Sequence, residues 1–208
     1  MKHLILAALL ALTFAAAWAD QASVAKLREG EVVLEYVRTS ESGGAARARM
    51  RVEGEAAAEA MWAIIVSCPM AFVYVQGLER CEVLEDTGDR AVVHQVVDPS
   101  WLVPAQDFVF ESLRDPYRQI RFSLLEGNID VLEGFWQFTP LEGGVLVDYE
   151  MRVKPAMPAP RFLVRRIVRR GMPDLLACVR GLAGGSRSES ARQADLARCP
   201  GELPAGIQ

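Results

Sequence analysis

Between residues 31 and 154 the apolar and polar positions alternate with a period of two, broken once by a stretch of helical character. Successive side chains of a strand point to opposite faces, so the alternation predicts strands with one face covered and one wet. Val32, Leu34 and Tyr36 begin the pattern, and after the Ser42-Gly43-Gly44 turn a partly polar second strand covers Ala45 to Glu53. Residues 55–67, EAAAEAMWAIIVS, predict a helix. Ala and Met are strong helix formers, and Glu55 and Glu59 suit the positive end of the helix dipole. Pro69 ends that helix, and Met70 to Val75 predict a second, short one closed by Gly77. Strands then follow in quick succession over 82–85, 91–97, 103–113, 119–125, 132–138 and 145–153. The turns between them are carried by Asp86-Thr87-Gly88-Asp89, Asp98-Pro99, Asp115-Pro116 and Glu142-Gly143-Gly144.

From Pro160 to Ala183 the period becomes helical. Val164, Val168, Met172, Leu175, Leu176, Val179 and Leu182 form one stripe, Gly171 and Pro173 are placed to bend it, and Gly184-Gly185 ends it. Residues 186–208 are polar and are expected to be loosely ordered. The class is therefore α+β, a curved antiparallel sheet of about seven strands with one long C-terminal helix. Its covered face is unusually aromatic, with Phe108, Phe110, Phe122, Trp136, Phe138 and Tyr149 all in phase. One helix does not fill the concave side of so large a sheet, which leaves either a very aromatic core or a cavity.

Composition narrows the picture. Of 208 residues, 51% are hydrophobic and 24% charged, with 27 acidic and 23 basic side chains for a formal net charge of −4. That balance excludes a disordered chain and disfavours nucleic acid as a partner. The first nineteen residues read as a signal peptide: Lys2 and His3, an apolar run from Leu4 to Ala17, then Ala17-Trp18-Ala19 as a small-x-small cleavage site before Asp20. The run is short for a membrane span of about 20 residues. Export to the periplasm is the expectation, with a domain over 20–185 and a polar tail over 186–208. In an oxidising compartment Cys68, Cys81, Cys178 and Cys199 allow three connectivities. Pairing of Cys68 with Cys81 and of Cys178 with Cys199 is favoured, because it closes a local loop and pins the tail to the last helix; the other pairings and free thiols stay open. No Cys-x-x-Cys is present and His94 is the one histidine after residue 3, so a metal site or a Ser-His-Asp triad is not expected.

Several segments in this order resemble the START lipid-transfer domain and its wider polyketide cyclase-like superfamily. Residues 29–37 (EGEVVLEYV) look like the opening strand, and residues 101–109 (WLVPAQDFV) like a segment that in the family ends in Arg-Asp-Phe-Val, with Gln106 standing where Arg is usual. Residues 132–141 (LEGFWQFTPL) followed by Gly143-Gly144 are similar to a late hairpin, and Pro158 to Leu182 to the final helix. The likeness covers about 28–183. It implies a helix-grip fold, with the sheet wrapped around the last helix, and an internal pocket for a hydrophobic molecule such as a lipid or sterol. No cofactor is implied. The inward strand faces and the helix then give pocket candidates: Trp101, Phe108, Phe110, Ser112, Ile120, Phe122, Trp136, Phe138, Tyr149, Met151, Val164, Val168 and Met172. Ser112, Tyr149 and His94 are the polar contributors that would orient a ligand.

Arg161, Arg165, Arg166, Arg169, Arg170 and Arg180 cluster on the last helix of an otherwise acidic chain. They read either as a solvated face or as a surface for an anionic membrane. Asp107, Asp130, Glu133, Asp148 and Glu150 lie in or near strands, but Asp107, Glu133, Asp148 and Glu150 are out of phase with the aromatic face and Asp130 is in a loop-like stretch, so no pair is set up for acid–base work. The expectation is a monomeric binding or transfer protein for a hydrophobic ligand, with a cyclase- or aromatase-type enzyme and a filled-core interaction module as alternatives.

Overall fold

The computed structural model describes residues 23–40, 43–98, 104–156 and 161–204. Its sheet has eight antiparallel strands: β1 (Val33–Ser40), β2 (Gly43–Glu53), β3 (Leu78–Asp86), β4 (Arg90–Val97), β5 (Gln106–Asp115), β6 (Gln119–Gly127), β7 (Ile129–Leu141) and β8 (Gly144–Pro155). They lie in the order β1-β2-β8-β7-β6-β5-β4-β3, so the first two strands join the far edge of the meander by pairing with its last strand. These are the eight segments that the alternation marks, against an overall figure of about seven. The short polar stretch expected over 82–85 is the middle of a nine-residue edge strand, β3, that pairs with β4 along its length.

The two helices expected after β2 are present as α1 (Ala57–Ile65) and α2 (Cys68–Tyr74), which meet at 93°. Ser67 caps the second, its hydroxyl accepting from the Met70 N–H, and Pro69 sits in the first turn, where its missing N–H costs nothing. Helix α3 (Arg161–Leu182) runs across the concave face of the sheet, through Pro173. A last helix, α4 (Glu189–Leu196), packs on it.

That helix corrects the expectation of a loose tail. Ser188 caps α4 by accepting from the Ala191 N–H, and its polar composition hides that Asp195 and Leu196 are buried against α3. Arg180, read in the sequence as part of a surface cluster, is also buried: Nε and Nη2 donate to the two carboxylate oxygens of Asp195 at 2.8 and 2.7 Å, and Nη1 donates to the Gly30 carbonyl. Ser186 donates to the same carboxylate. A buried charge persists only when paired and fully hydrogen-bonded. Cys178–Cys199 and Cys68–Cys81 are disulfides, the pairing favoured from the sequence. The first fastens the tail to α3, and the second ties α2 to β3.

The helical layer is uneven, and this decides where the site is. The C-terminal half of α3 is core: Leu176, Cys178 and Val179 are fully buried with Met50, Val52, Met61, Phe138 and Val147. Among the described side chains of its N-terminal half Val168 is the buried one, while Arg165, Arg166, Ile167, Arg169 and Arg170 are exposed and Phe162 shows 74% of its surface. One end of the helix therefore fills the grip and the other only bridges it. No single helix among the described residues is long and apolar enough to cross a membrane.

Candidate functional site: an internal cavity

Beneath the N-terminal half of α3 the concave face forms a half-open cavity of about 990 Å³, at the upper end of the range for small-molecule sites. The strand period places its floor. Inward positions are Val93, Gln95 and Val97 on β4; Gln106, Phe108, Phe110, Ser112 and Arg114 on β5; Ile120 and Phe122 on β6; Leu132 and Trp136 on β7; and Tyr149, Met151 and Val153 on β8. Helices α1 to α3 supply the roof, from Ile65 through Tyr74 to Phe162, Ile167, Val168 and Met172.

The aromatic side chains form a continuous floor. Phe108 meets Phe110 at 6.2 Å between ring centroids, Phe110 meets Phe122 edge-on at 6.4 Å, Phe122 meets Tyr149 at 6.4 Å, and Tyr149 stacks on Trp136 at 4.1 Å. Such pairs add about 0.5–1.5 kcal/mol each beyond area burial, so they hold the floor rigid without a ligand. Gly134 makes this possible, because a Cβ there would meet the Phe122 ring at 2.5 Å and run into the Glu150 carbonyl.

The polar groups are few and spread out. Gln95 Nε2 donates weakly to Cys81 Sγ at 3.6 Å. Tyr149 donates its hydroxyl proton to Met151 Sδ at 3.4 Å, a soft acceptor that an oxygen would displace easily. Burial pushes the Tyr149 phenol well above its ordinary pKa, and does the same to Tyr74, whose hydroxyl donates to the Ile65 carbonyl. Both are neutral donors at any physiological pH. At one end Arg114 is almost wholly buried and paired with Asp86. On the α3 side of the lining, Asp174 is held by Arg198 at 2.7 Å.

Of the thirteen pocket residues expected from the sequence, Phe108, Phe110, Ser112, Ile120, Phe122, Trp136, Tyr149, Met151, Val168 and Met172 line the cavity. Trp101, and the side chain of Val164, lie outside what is described. Phe138 is a correction: it shares the face of Trp136 but is 2% exposed, packed against Trp62 of α1 in the solid half of the grip. His94 is another. It projects from the opposite face of β4, where Nε2 lies 2.7 Å from Asp107 Oδ1, and Gln95 takes the inward place. The valines at 92, 93, 96 and 97 occupy both faces of that strand, so the pattern did not fix its phase. Sequence reasoning also missed Arg114, because Leu113-Arg114-Asp115-Pro116 reads as the end of a strand going into a turn.

Comparison with known proteins agrees with this architecture. The sequence matches no curated protein. The structure is similar to a STAR-related lipid transfer protein from Xanthomonas axonopodis (TM-score 0.61, 18% identity, 74% of this chain and 98% of that one). It is similar also to human StAR-related lipid transfer protein 5 (TM-score 0.54, 14% identity, 81% and 96%) and to the Zhui aromatase/cyclase from a Streptomyces species (TM-score 0.55, 18% identity, 72% and 94%). At these identities the likeness establishes the helix-grip fold. The family follows from the sequence itself: residues 54–180, from the start of α1 to the buried arginine of α3, match the family described as polyketide cyclase/dehydrase and lipid transport, and this chain belongs to it.

Proposed function

We propose that the protein is an exported, monomeric carrier that takes up one hydrophobic molecule, a lipid or sterol-like compound, in the cavity under α3. The observation that carries the reading is the uneven helical layer: a rigid aromatic floor faces a cavity of about 990 Å³ that the protein's own side chains do not fill. Each Å² of apolar ligand surface removed from water there contributes about 25 cal/mol. Binding rather than catalysis is favoured because, among the described lining residues, the one carboxylate is Asp174, occupied by Arg198, and both buried tyrosines are neutral. The two disulfides and the apolar run before Ala17-Trp18-Ala19 support export and a periplasmic location.

The exposed half of α3 supports transient docking at a membrane. Phe162 and Ile167 project from it beside Arg165, Arg166, Arg169 and Arg170, an apolar tip with a basic rim next to the cavity. Each basic group near an anionic surface contributes about 1 kcal/mol.

The test is to purify the exported protein gently and record its native mass, then extract it with solvent. A co-purifying lipid of one class is the expected result. A bare polypeptide mass that also takes up none of a panel of offered lipids and sterols would overturn the carrier reading.

A further inference from the structure

The charged groups that line the cavity are nearly all of one sign. Arg166 and Arg170 reach it from α3, Arg198 from beyond α4 and Arg114 from β5, whereas the one acid lining it among the described residues, Asp174, is paired with Arg198. Arg114 and Arg198 are ion-paired, so the unbalanced positive charge beside the cavity is that of Arg166 and Arg170 on the exposed part of α3.

Arg114 is the member that the fold satisfies least. Its side chain is 7% exposed. Nη1 donates to both carboxylate oxygens of Asp86, at 2.9 and 3.2 Å, but Nε is buried with no hydrogen-bond partner among the described residues. Asp86 is itself 44% exposed and also accepts from the Gly88 N–H, so its charge is shared and screened. A buried guanidinium with an unmade bond carries a desolvation cost that an incoming acceptor oxygen would remove. Ser112, the next inward residue on β5, is also buried and lines the same end.

From this end the inner face of β5 runs past Phe110 and Phe108 to Gln106, eight residue steps or roughly 27 Å of apolar floor. Building on the carrier reading, we propose that the ligand is a long-chain carboxylate whose head is anchored at Arg114, with its chain lying along β5 toward α3. A carboxylate matches because it is planar and singly charged and offers two oxygens to a guanidinium fork. A dianionic phosphate would ask for more donors than Arg114 and Ser112 supply. The head enters first, so that the polar group is buried and the chain end faces the exposed half of α3.

The test uses delipidated full-length protein titrated with oleate and with methyl oleate, which share a chain and differ in head charge. Oleate is expected to bind tighter by tenfold or more, the usual worth of a charge-assisted hydrogen bond, and the Arg114→Gln variant is expected to bind both alike. The ratio of the two affinities is read within each protein, so a uniform loss of folded fraction does not affect it. Arg114→Lys, which keeps the charge but not the fork, is expected to fall between. Equal affinities in the unmodified protein, or a preference that survives in Arg114→Gln, would overturn the anchor while leaving the carrier reading intact. Failure of both compounds to bind would overturn the long-chain carboxylate as ligand, while the carrier reading is decided separately by the panel of lipids and sterols.

Discussion

Phe122 and Phe138 are the same residue type on neighbouring strands of one sheet face, yet the structure assigns them opposite roles, and truncation separates them. Phe138 is 2% exposed, in contact with Trp62 and enclosed by α1. Phe138→Ala leaves a hole in a filled region and should cost about 3–5 kcal/mol. For a protein of this size each kcal/mol moves Tm by about 2–4 °C, so the midpoint should fall by roughly 6–20 °C. Phe122 already borders space on its inward side. Its ring packs edgewise against Phe110 and at a tilt against Tyr149, each at 6.4 Å, and on Gly134. A side chain lacking partner atoms on one side has correspondingly less dispersion energy to lose, so Phe122→Ala should cost about half as much, roughly 1.5–2.5 kcal/mol. Urea unfolding followed by circular dichroism, with ligand removed, measures both. Equal losses from the two substitutions would refute the division of the grip into a solid half and a hollow half.

Asp195→Asn or Arg180→Met alone should destabilise by about 3–5 kcal/mol in chemical denaturation, because each strands a buried partner; the double variant Arg180→Met/Asp195→Leu should recover most of that loss. Replacing Cys178 and Cys199 by Ser opens a loop with a sequence separation of 21 and should cost about 3 kcal/mol, read as the shift in denaturation midpoint. Phe162→Asp should lower co-sedimentation with anionic vesicles several-fold without moving Tm, since that side chain is 74% exposed. Asp86 is held below the usual carboxylate range, first by the Gly88 N–H and then by Arg114. A depressed pKa contributes stability that is complete above about pH 4 and lost as pH falls through the folded value, so acid unfolding of Arg114→Gln should begin at higher pH than that of the unmodified protein.

Much of the site was legible in the sequence because a strand's side-chain period is two. Once Phe108, Phe110 and Phe122 were in phase, their shared face followed, and the same rule carried Ile120, Trp136, Tyr149 and Met151. What a strand pattern does not contain is where along a face the helical layer stops touching it. Trp136 and Phe138 are indistinguishable by phase, and only the position of α1 makes one a lining residue and the other core. The same limit hid Arg114, because its inward direction is set by β5 continuing to Asp115 rather than ending at Leu113. The helix α4 was hidden for a different reason: its burial is spent on an ion pair and a disulfide rather than on an apolar stripe. The family resemblance supplied the grip itself, which period and composition left as a choice between a filled core and a cavity.

The most direct test of the central claim fills the cavity. Val93 lies in its wall opposite Phe110 in the β4–β5 register, so Val93→Trp should place an indole in the space meant for ligand. The account predicts that this variant keeps its unfolding midpoint while lipid uptake drops at least tenfold. A Tm lowered by the 1–3 kcal/mol of an overpacked core, with lipid uptake unchanged, would show that the grip is solid and would contradict the carrier account.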